Sequence, residues 1–182
     1  MKRAVFLDRD GTICVEKDYL SDPDDFVLLP KVAEAIRLFN HSDWLVVVVS
    51  NQSGVGRGYF SAETVEKVNQ KMAQLLALEG ARVNAIFYCP HKPEDNCSCR
   101  KPNTGMIEQA VKKFPAIDLS RSFMVGDKLL DVLLAHRAGM QGVLVLTGYG
   151  KKEAERGSKK ELEKPDHTAN DLLLAAEWIL KK

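Results

Sequence analysis

No sign of charge dominates this sequence. Its 26 basic residues meet 25 acidic ones, a formal charge of +1, so no global field favours a nucleic acid or an anionic membrane as partner, and any anion must be gripped locally. Long hydrophobic runs are missing as well. The longest, Trp44–Val49, falls far short of the roughly 20 apolar residues that cross a bilayer. The amino-terminal stretch lacks the apolar core and small-residue cleavage site of a secretory signal, so a cytoplasmic location is expected. Neither an internal repeat nor a Pro- or Gly-rich linker divides the chain. At 182 residues, 45% of them hydrophobic, one domain spanning 1–182 with one well-buried core is expected.

What is present alternates. Ala4–Leu7, Trp44–Val49, Val83–Tyr88, Ser122–Val125 and Val143–Leu146 are short apolar runs that read as buried strands, and Pro165–Ala169 adds a short edge. Between them lie stretches with helical spacing. One opens at Pro30, one is capped by Ser61 and closed by Gly80, one follows Asn103-Thr104-Gly105, one runs from Leu129 to Gly139, and Leu172–Leu180 closes the chain. Asp8–Asp25 reads as a polar loop over the crevice with Tyr19 and Leu20 as its main apolar content, and 151–164 as a solvated charged segment. Strand–helix alternation with buried-type strands predicts an α/β protein with a doubly wound, Rossmann-like parallel sheet.

Polar residues recur where strands end. Asp8 and Asp10 follow the first strand, Ser50 the second, Arg100-Lys101 the loop after the third, and Asp127 with Asp131 the fourth. In a parallel sheet these ends share one edge, where ligands bind. Carboxylates gathered there repel one another unless a cation lies between them, and hard oxygen donors suit Mg²⁺, giving a predicted magnesium site at Asp8, Asp10 and Asp127. Lys101, Ser50 and the turn amides near Asn51 are the tools a phosphoryl group requires.

A second cluster is Cys89-Pro90-His91 with Cys97-Ser98-Cys99. Three of the four cysteines and one of the four histidines fall within this loop. Disulfides are rare in a reducing compartment, so thiolate metal ligation is the reading. Three Cys and one His match a closed structural zinc site. Cys14 stands apart as an ordinary thiol. Asp131, one turn into a helix, is either a surface or capping residue or a group orienting Lys128 or a metal-bound water.

Asp8-x-Asp10-Gly11-Thr12, Ser50, Lys101 and Gly126-Asp127-x-x-x-Asp131 resemble, in order, the four motifs of the haloacid dehalogenase superfamily of phosphatases. The resemblance implies that Asp8 is the nucleophile, forming an aspartyl-phosphate, and that Asp10 is the general acid and base. It implies that Ser50 and Lys101 bind the phosphoryl oxygens, and that magnesium is held by the Asp8 and Asp127 carboxylates and the Asp10 carbonyl. With Asp-Arg-Asp-Gly-Thr, Ser-Asn-Gln-Ser-Gly, the Cys-x-His…Cys-x-Cys loop and Cys-Arg-Lys-Pro in a chain with no large cap, the sequence is similar to the D-glycero-D-manno-heptose 1,7-bisphosphate 7-phosphatases. That implies a sugar bisphosphate substrate met by Glu16, Lys17, Asp18, Tyr19, Asn51, Gln52, Ser53, Arg100 and Lys128, and a monomeric enzyme with no nucleic-acid or membrane partner. Histidinol-phosphate phosphatases share the motifs and a similar loop. A phospho-accepting receiver domain is the alternative of another class, but there the reactive Asp follows a middle strand.

Overall fold

The computed structural model describes residues 1–157 and 163–182. Six strands, β1 (Ala4–Leu7), β2 (Leu45–Asn51), β3 (Ala85–Cys89), β4 (Phe123–Gly126), β5 (Gln141–Val145) and β6 (His167–Ala169), form one sheet in the order β3-β2-β1-β4-β5-β6. Every pairing is parallel. Consecutive strand residues point to opposite faces, and all four of β1 are fully buried, so both faces of the sheet are covered. Val5, Leu7, Val46 and Val48 join Ile36, Phe39, Met72 and Ala176 on one side. Ala4, Phe6, Val47 and Val49 join Met106, Ile107 and Leu134 on the other.

The helices are α1 (Val32–His41), α2 (Ala62–Leu78), α3 (Gly105–Lys113), α4 (Leu129–Arg137), α5 (Gly150–Arg156) and α6 (Leu172–Ile179). Ser61 Oγ accepts the Thr64 N–H at 3.2 Å and starts α2; Gly80, at φ +69°, follows its end. On α1, Val32, Ala35, Ile36 and Phe39 are buried at helical spacing, each large side chain contributing about 1.5–3 kcal/mol on leaving water. All of these elements except α5 lie within a residue or two of their expected places. No cap domain interrupts the described chain: between β1 and α1, and between β3 and α3, the only regular pieces are single turns at Pro23–Asp25 and Pro93–Asp95. No described helix is long and apolar enough to cross a membrane.

Two expectations change. The loop after β1 carries its apolar content at Ile13, Cys14, Leu20 and Phe26, all buried. Val15 N–H bonds Val27 O at 2.9 Å and Leu29 N–H bonds Ile13 O at 3.0 Å, so the base of the loop is stitched down. Tyr19, by contrast, is exposed. The charged segment 151–164 is not uniformly solvated surface: its first residues belong to α5, and Glu153 Oε2 accepts the Leu129 N–H at 3.0 Å. Residues 158–162 of that segment lie outside the described residues.

Candidate active site

The strand order reverses between β1 and β4, the switch point at which an open α/β sheet leaves a crevice. Asp8 leaves β1 there and Asp127 leaves β4. With Asp131, on the first turn of α4, they form a buried trio whose carboxylate oxygens lie within 4.8 Å of one another. Lys101 closes the group from the loop after β3. Its Nζ is 2.8 Å from Asp8 Oδ1 and 2.7 Å from Asp131 Oδ1, and donates to the Val49 carbonyl at 3.1 Å. Burial alone would drive the proton off Lys101, but Asp131 and Asp8 outweigh it and hold its pKa above the usual value. Burial, then the neighbouring Asp8, push Asp127 up to about 8, against the Tyr149 N–H that bonds its Oδ2 at 2.8 Å. Asp131 is pushed up to about 6 by burial, with Lys101 opposing. Gly11 (φ +82°) and Gly148 (φ +51°) turn their backbones against Asp127, and a Cβ on either would fall on its carboxylate.

Asp10 is held differently. Arg9 Nε and Nη2 donate to its Oδ1 at 3.2 and 3.1 Å, and Nη2 donates to Oδ2 at 3.0 Å. Gln52 Nε2 donates to Asp10 Oδ2 at 2.7 Å and to Ser50 Oγ at 2.8 Å. Asp10 thus faces the same cavity without its side chain joining the acidic trio. Cys14 is less detached than expected: its buried thiol contacts Asp10 Oδ1 at 3.5 Å.

A cavity of about 220 Å³ opens above these groups, bringing together Asp8, Asp10, Ser50, Asn51, Gln52, Ser53, Arg100, Lys101, Lys128 and the 16–19 loop. Lys128 Nζ lies 3.5 Å from Glu16 Oε2 and 4.6 Å from the centre of the Tyr149 ring. Burial works against the Lys128 charge, while Glu16 and the acidic cluster raise its pKa overall. Burial pushes Glu16 up to about 7, which Lys128 opposes and Asp10 and Asp8 reinforce. Tyr149 donates its hydroxyl to Asp18 at 3.1 Å. Lys17 pairs with Asp25 at 2.9 Å, and Tyr19 meets Tyr59 edge-on at 4.8 Å. Asn51 spends its amide on the Lys101 backbone, and Arg100 Nη1 donates to the His91 carbonyl at 3.1 Å.

Cys89, His91, Cys97 and Cys99 converge beside this edge. Cys89 Sγ lies 3.6 Å from His91 Nδ1, 3.5 Å from Cys97 Sγ and 3.1 Å from Cys99 Sγ. Cys99 Sγ lies 3.5 Å from Cys97 Sγ and 3.3 Å from His91 Nδ1. Zinc–sulfur bonds of about 2.3 Å in a tetrahedron put sulfurs about 3.8 Å apart; the sulfurs here stand somewhat closer, and the donor set of three Cys and one His is one that fits zinc.

The "HAD-hyrolase-like" family model matches residues 98–175. A D-glycero-D-manno-heptose-1,7-bisphosphate 7-phosphatase of Thermosynechococcus vestitus is 42% identical over 97% of this chain and 94% of its own. The crystal structure of D,D-heptose 1,7-bisphosphate phosphatase from B. bronchiseptica, complexed with magnesium and phosphate, is 38% identical. It superposes with a TM-score of 0.90 over 98% of each chain. This chain belongs to the heptose-1,7-bisphosphate 7-phosphatase family of the haloacid dehalogenase superfamily.

In this family member the acidic trio fits a hard divalent cation on its own evidence. Asp127 Oδ1 is buried with no hydrogen-bond partner, and the donors are all carboxylate oxygens. Sequence reasoning left three participants without a role. Arg9 stood inside the quoted motif with no role assigned to it. Tyr149 follows the fifth strand with no motif of its own. Asn69 lies in the middle of α2, and nothing in the pattern marks it.

Proposed function

We propose that this protein removes the C7 phosphate of D-glycero-D-manno-heptose 1,7-bisphosphate. The convergence of Asp8, Asp127 and Asp131 around Lys101 at the switch point carries the reading, in a chain with close full-length relatives that bear that name. An Asp8 carboxylate oxygen bonds to phosphorus as the bond from phosphorus to the C7 oxygen breaks, giving an aspartyl-phosphate. Asp10 gives its proton to the departing oxygen. It then takes one from the water that attacks the intermediate, and inorganic phosphate leaves. Ser50 and Lys101 hold the phosphoryl oxygens in both steps.

Asp8, Asp127 and the Asp10 carbonyl would hold Mg²⁺, which supplies charge neutralisation to the phosphoryl group. Cys89, His91, Cys97 and Cys99 would hold a structural Zn²⁺. Arg100 takes the second phosphate, as its fork of donors suits. Glu16–Tyr19, Asn51, Gln52, Ser53 and Lys128, which line the cavity, contact the sugar. The 182 residues act as one domain, organised around a single six-stranded sheet, and one monomer belongs to the same reading. A cytoplasmic location belongs to the same reading.

The test is phosphate release by purified protein with Mg²⁺, comparing both anomers of heptose 1,7-bisphosphate with histidinol phosphate at equal concentration. Strong preference for a heptose bisphosphate is expected and assigns the anomer. Preference for histidinol phosphate keeps the chemistry and overturns the substrate. Asp8→Asn should abolish turnover; an active Asp8→Asn enzyme removes the nucleophile assignment.

A further inference from the structure

Arg9 is among the largest fully buried side chains of the protein, only 1% exposed, and it sits between the two aspartates of the crevice. Burying a guanidinium strips it of its hydration, and a buried ion pair returns little net stability over an apolar side chain of similar size. Its value lies in the geometry it imposes. Three donor contacts fix both oxygens of Asp10, and the remaining arm, Nη1, donates to Asn69 Oδ1 at 3.0 Å. Asn69 is itself buried on α2, next to Val68 and one turn before Met72, both fully buried. Asn is a mediocre helix former, so helix propensity does not account for it there. From the opposite side Gln52, at the end of β2, ties Asp10 Oδ2 to Ser50 Oγ.

We infer that Arg9 and Asn69 are positioning residues that transmit the fixed place of α2 to the Asp10 carboxylate. They aim it at the oxygen that must receive a proton. The inference rests on the reading of Asp10 as proton donor. Proton transfer requires hydrogen-bond reach, and a displacement of about 1 Å in a reacting group costs on the order of 10²-fold. A carboxylate at a loop tip would swing by more than that. Gripped through a forked guanidinium to a core helix, it does not.

The experiment compares two substrates in the first turnover by rapid quench. The heptose bisphosphate loses an alkoxide that must be protonated as it leaves, whereas p-nitrophenyl phosphate loses a phenolate stable without a proton. The readout is the ratio of the first-turnover rate on the sugar phosphate to the nitrophenolate burst rate. A general loss of folding or metal lowers both rates and leaves the ratio alone. Arg9→Met is expected to lower the ratio about 10²-fold, with Arg9→Lys restoring part of it because charge returns without the fork. Asn69→Ala, which suits a helix and keeps the Arg9–Asp10 pair, is expected to lower it about tenfold. It decides the matter if Arg9→Met does not fold. Asp10→Asn is run in parallel and should lower the ratio at least as far as Arg9→Met. An unchanged ratio in Asn69→Ala and in any folded Arg9 variant, with a lowered one in Asp10→Asn, overturns the positioning role alone. An unchanged ratio in Asp10→Asn overturns the proton-donor reading, and the positioning role with it.

Discussion

Asn51 holds Lys101 by its backbone from both sides: its Nδ2 donates to the Lys101 carbonyl at 3.2 Å and its Oδ1 accepts the Lys101 N–H at 3.0 Å. The end of β2 is thereby stitched to the loop that leaves the Cys/His cluster. Asn51→Ala leaves two partly buried backbone groups without partners, a loss of about 1–3 kcal/mol. Urea unfolding should show that loss together with reduced turnover. A variant of unchanged stability, altered only in KM, would make Asn51 a substrate contact and nothing more.

The Lys101–Asp131 pair is fully buried, its atoms 2.7 Å apart. Removing one partner strands the other charge in the interior, which costs about 3–5 kcal/mol. Asp131→Ala should therefore unfold at much lower denaturant than the parent, and so should Lys101→Met, where Asp8 and Asp131 face each other uncompensated. A loss below about 1 kcal/mol in both would mean that water reaches the pair.

The sheet was legible because β1 and β4 and the hearts of β2 and β5 are apolar runs buried on both faces, and the half-buried edge strand β3 is an apolar run as well. The edge strand β6 showed only as Pro165–Ala169, for want of such a run. Asp8, Asp10 and Asp127 were legible because they follow strand ends, and Lys101, in the loop after β3, because it stands with them in motif order. Asp131 was ambiguous, since a carboxylate at the third position of a helix reads equally as a cap; it does bond the Lys128 N–H, at 3.3 Å, while also meeting Lys101. Arg9 and Asn69 were invisible for a different reason. A buried polar side chain is defined by its partner, and their contact spans sixty positions of sequence, a pairing that no local period encodes.

Glu16 gives a pH signature. Its carboxyl is raised from 4.5 to about 7 in the folded protein, first by burial. A raised carboxyl favours folding fully below its unfolded pKa and loses that contribution as pH rises through the folded one. Glu16→Gln removes the titration, so the variant should gain melting temperature relative to the parent between about pH 4.5 and 7. The two curves should run parallel above and below that window. A constant difference across the window would place Glu16 in water.

Asp127 predicts how magnesium acts. Without metal its carboxyl is raised from 3.8 to about 8, by burial and then by Asp8. By the same sign, its contribution to metal-free stability is whole below 3.8 and is lost as pH climbs through about 8. A ligating carboxylate must be ionised, so binding releases a proton and strengthens as pH rises. Mg²⁺ should therefore raise the melting temperature more at pH 8 than at pH 6, and Asp127→Asn should abolish most of that difference. Equal stabilisation at both values would show that Asp127 is ionised throughout.

Removing metal from the Cys89, His91, Cys97 and Cys99 cluster tests how the loop is fixed. Between Pro90 and Thr104 the chain has one turn of regular structure, and few of its side chains reach the core. A tetrahedral ion held by the four donors would supply rigidity there. Its loss propagates along the chain: Cys99 leads directly to Arg100, which bonds the His91 carbonyl, and then to Lys101, which lies against Asp8. Protein stripped by a chelator, with zinc loss verified by elemental analysis, should melt earlier and bind substrate more weakly, as seen in a raised KM. Cys97→Ser should act in the same direction without chelator, separating zinc loss from any loss of magnesium. If zinc-free protein keeps both its melting temperature and its KM, then Asn51 and the pairs made by Lys101 suffice to hold the loop, and the cluster has no part in shaping the crevice.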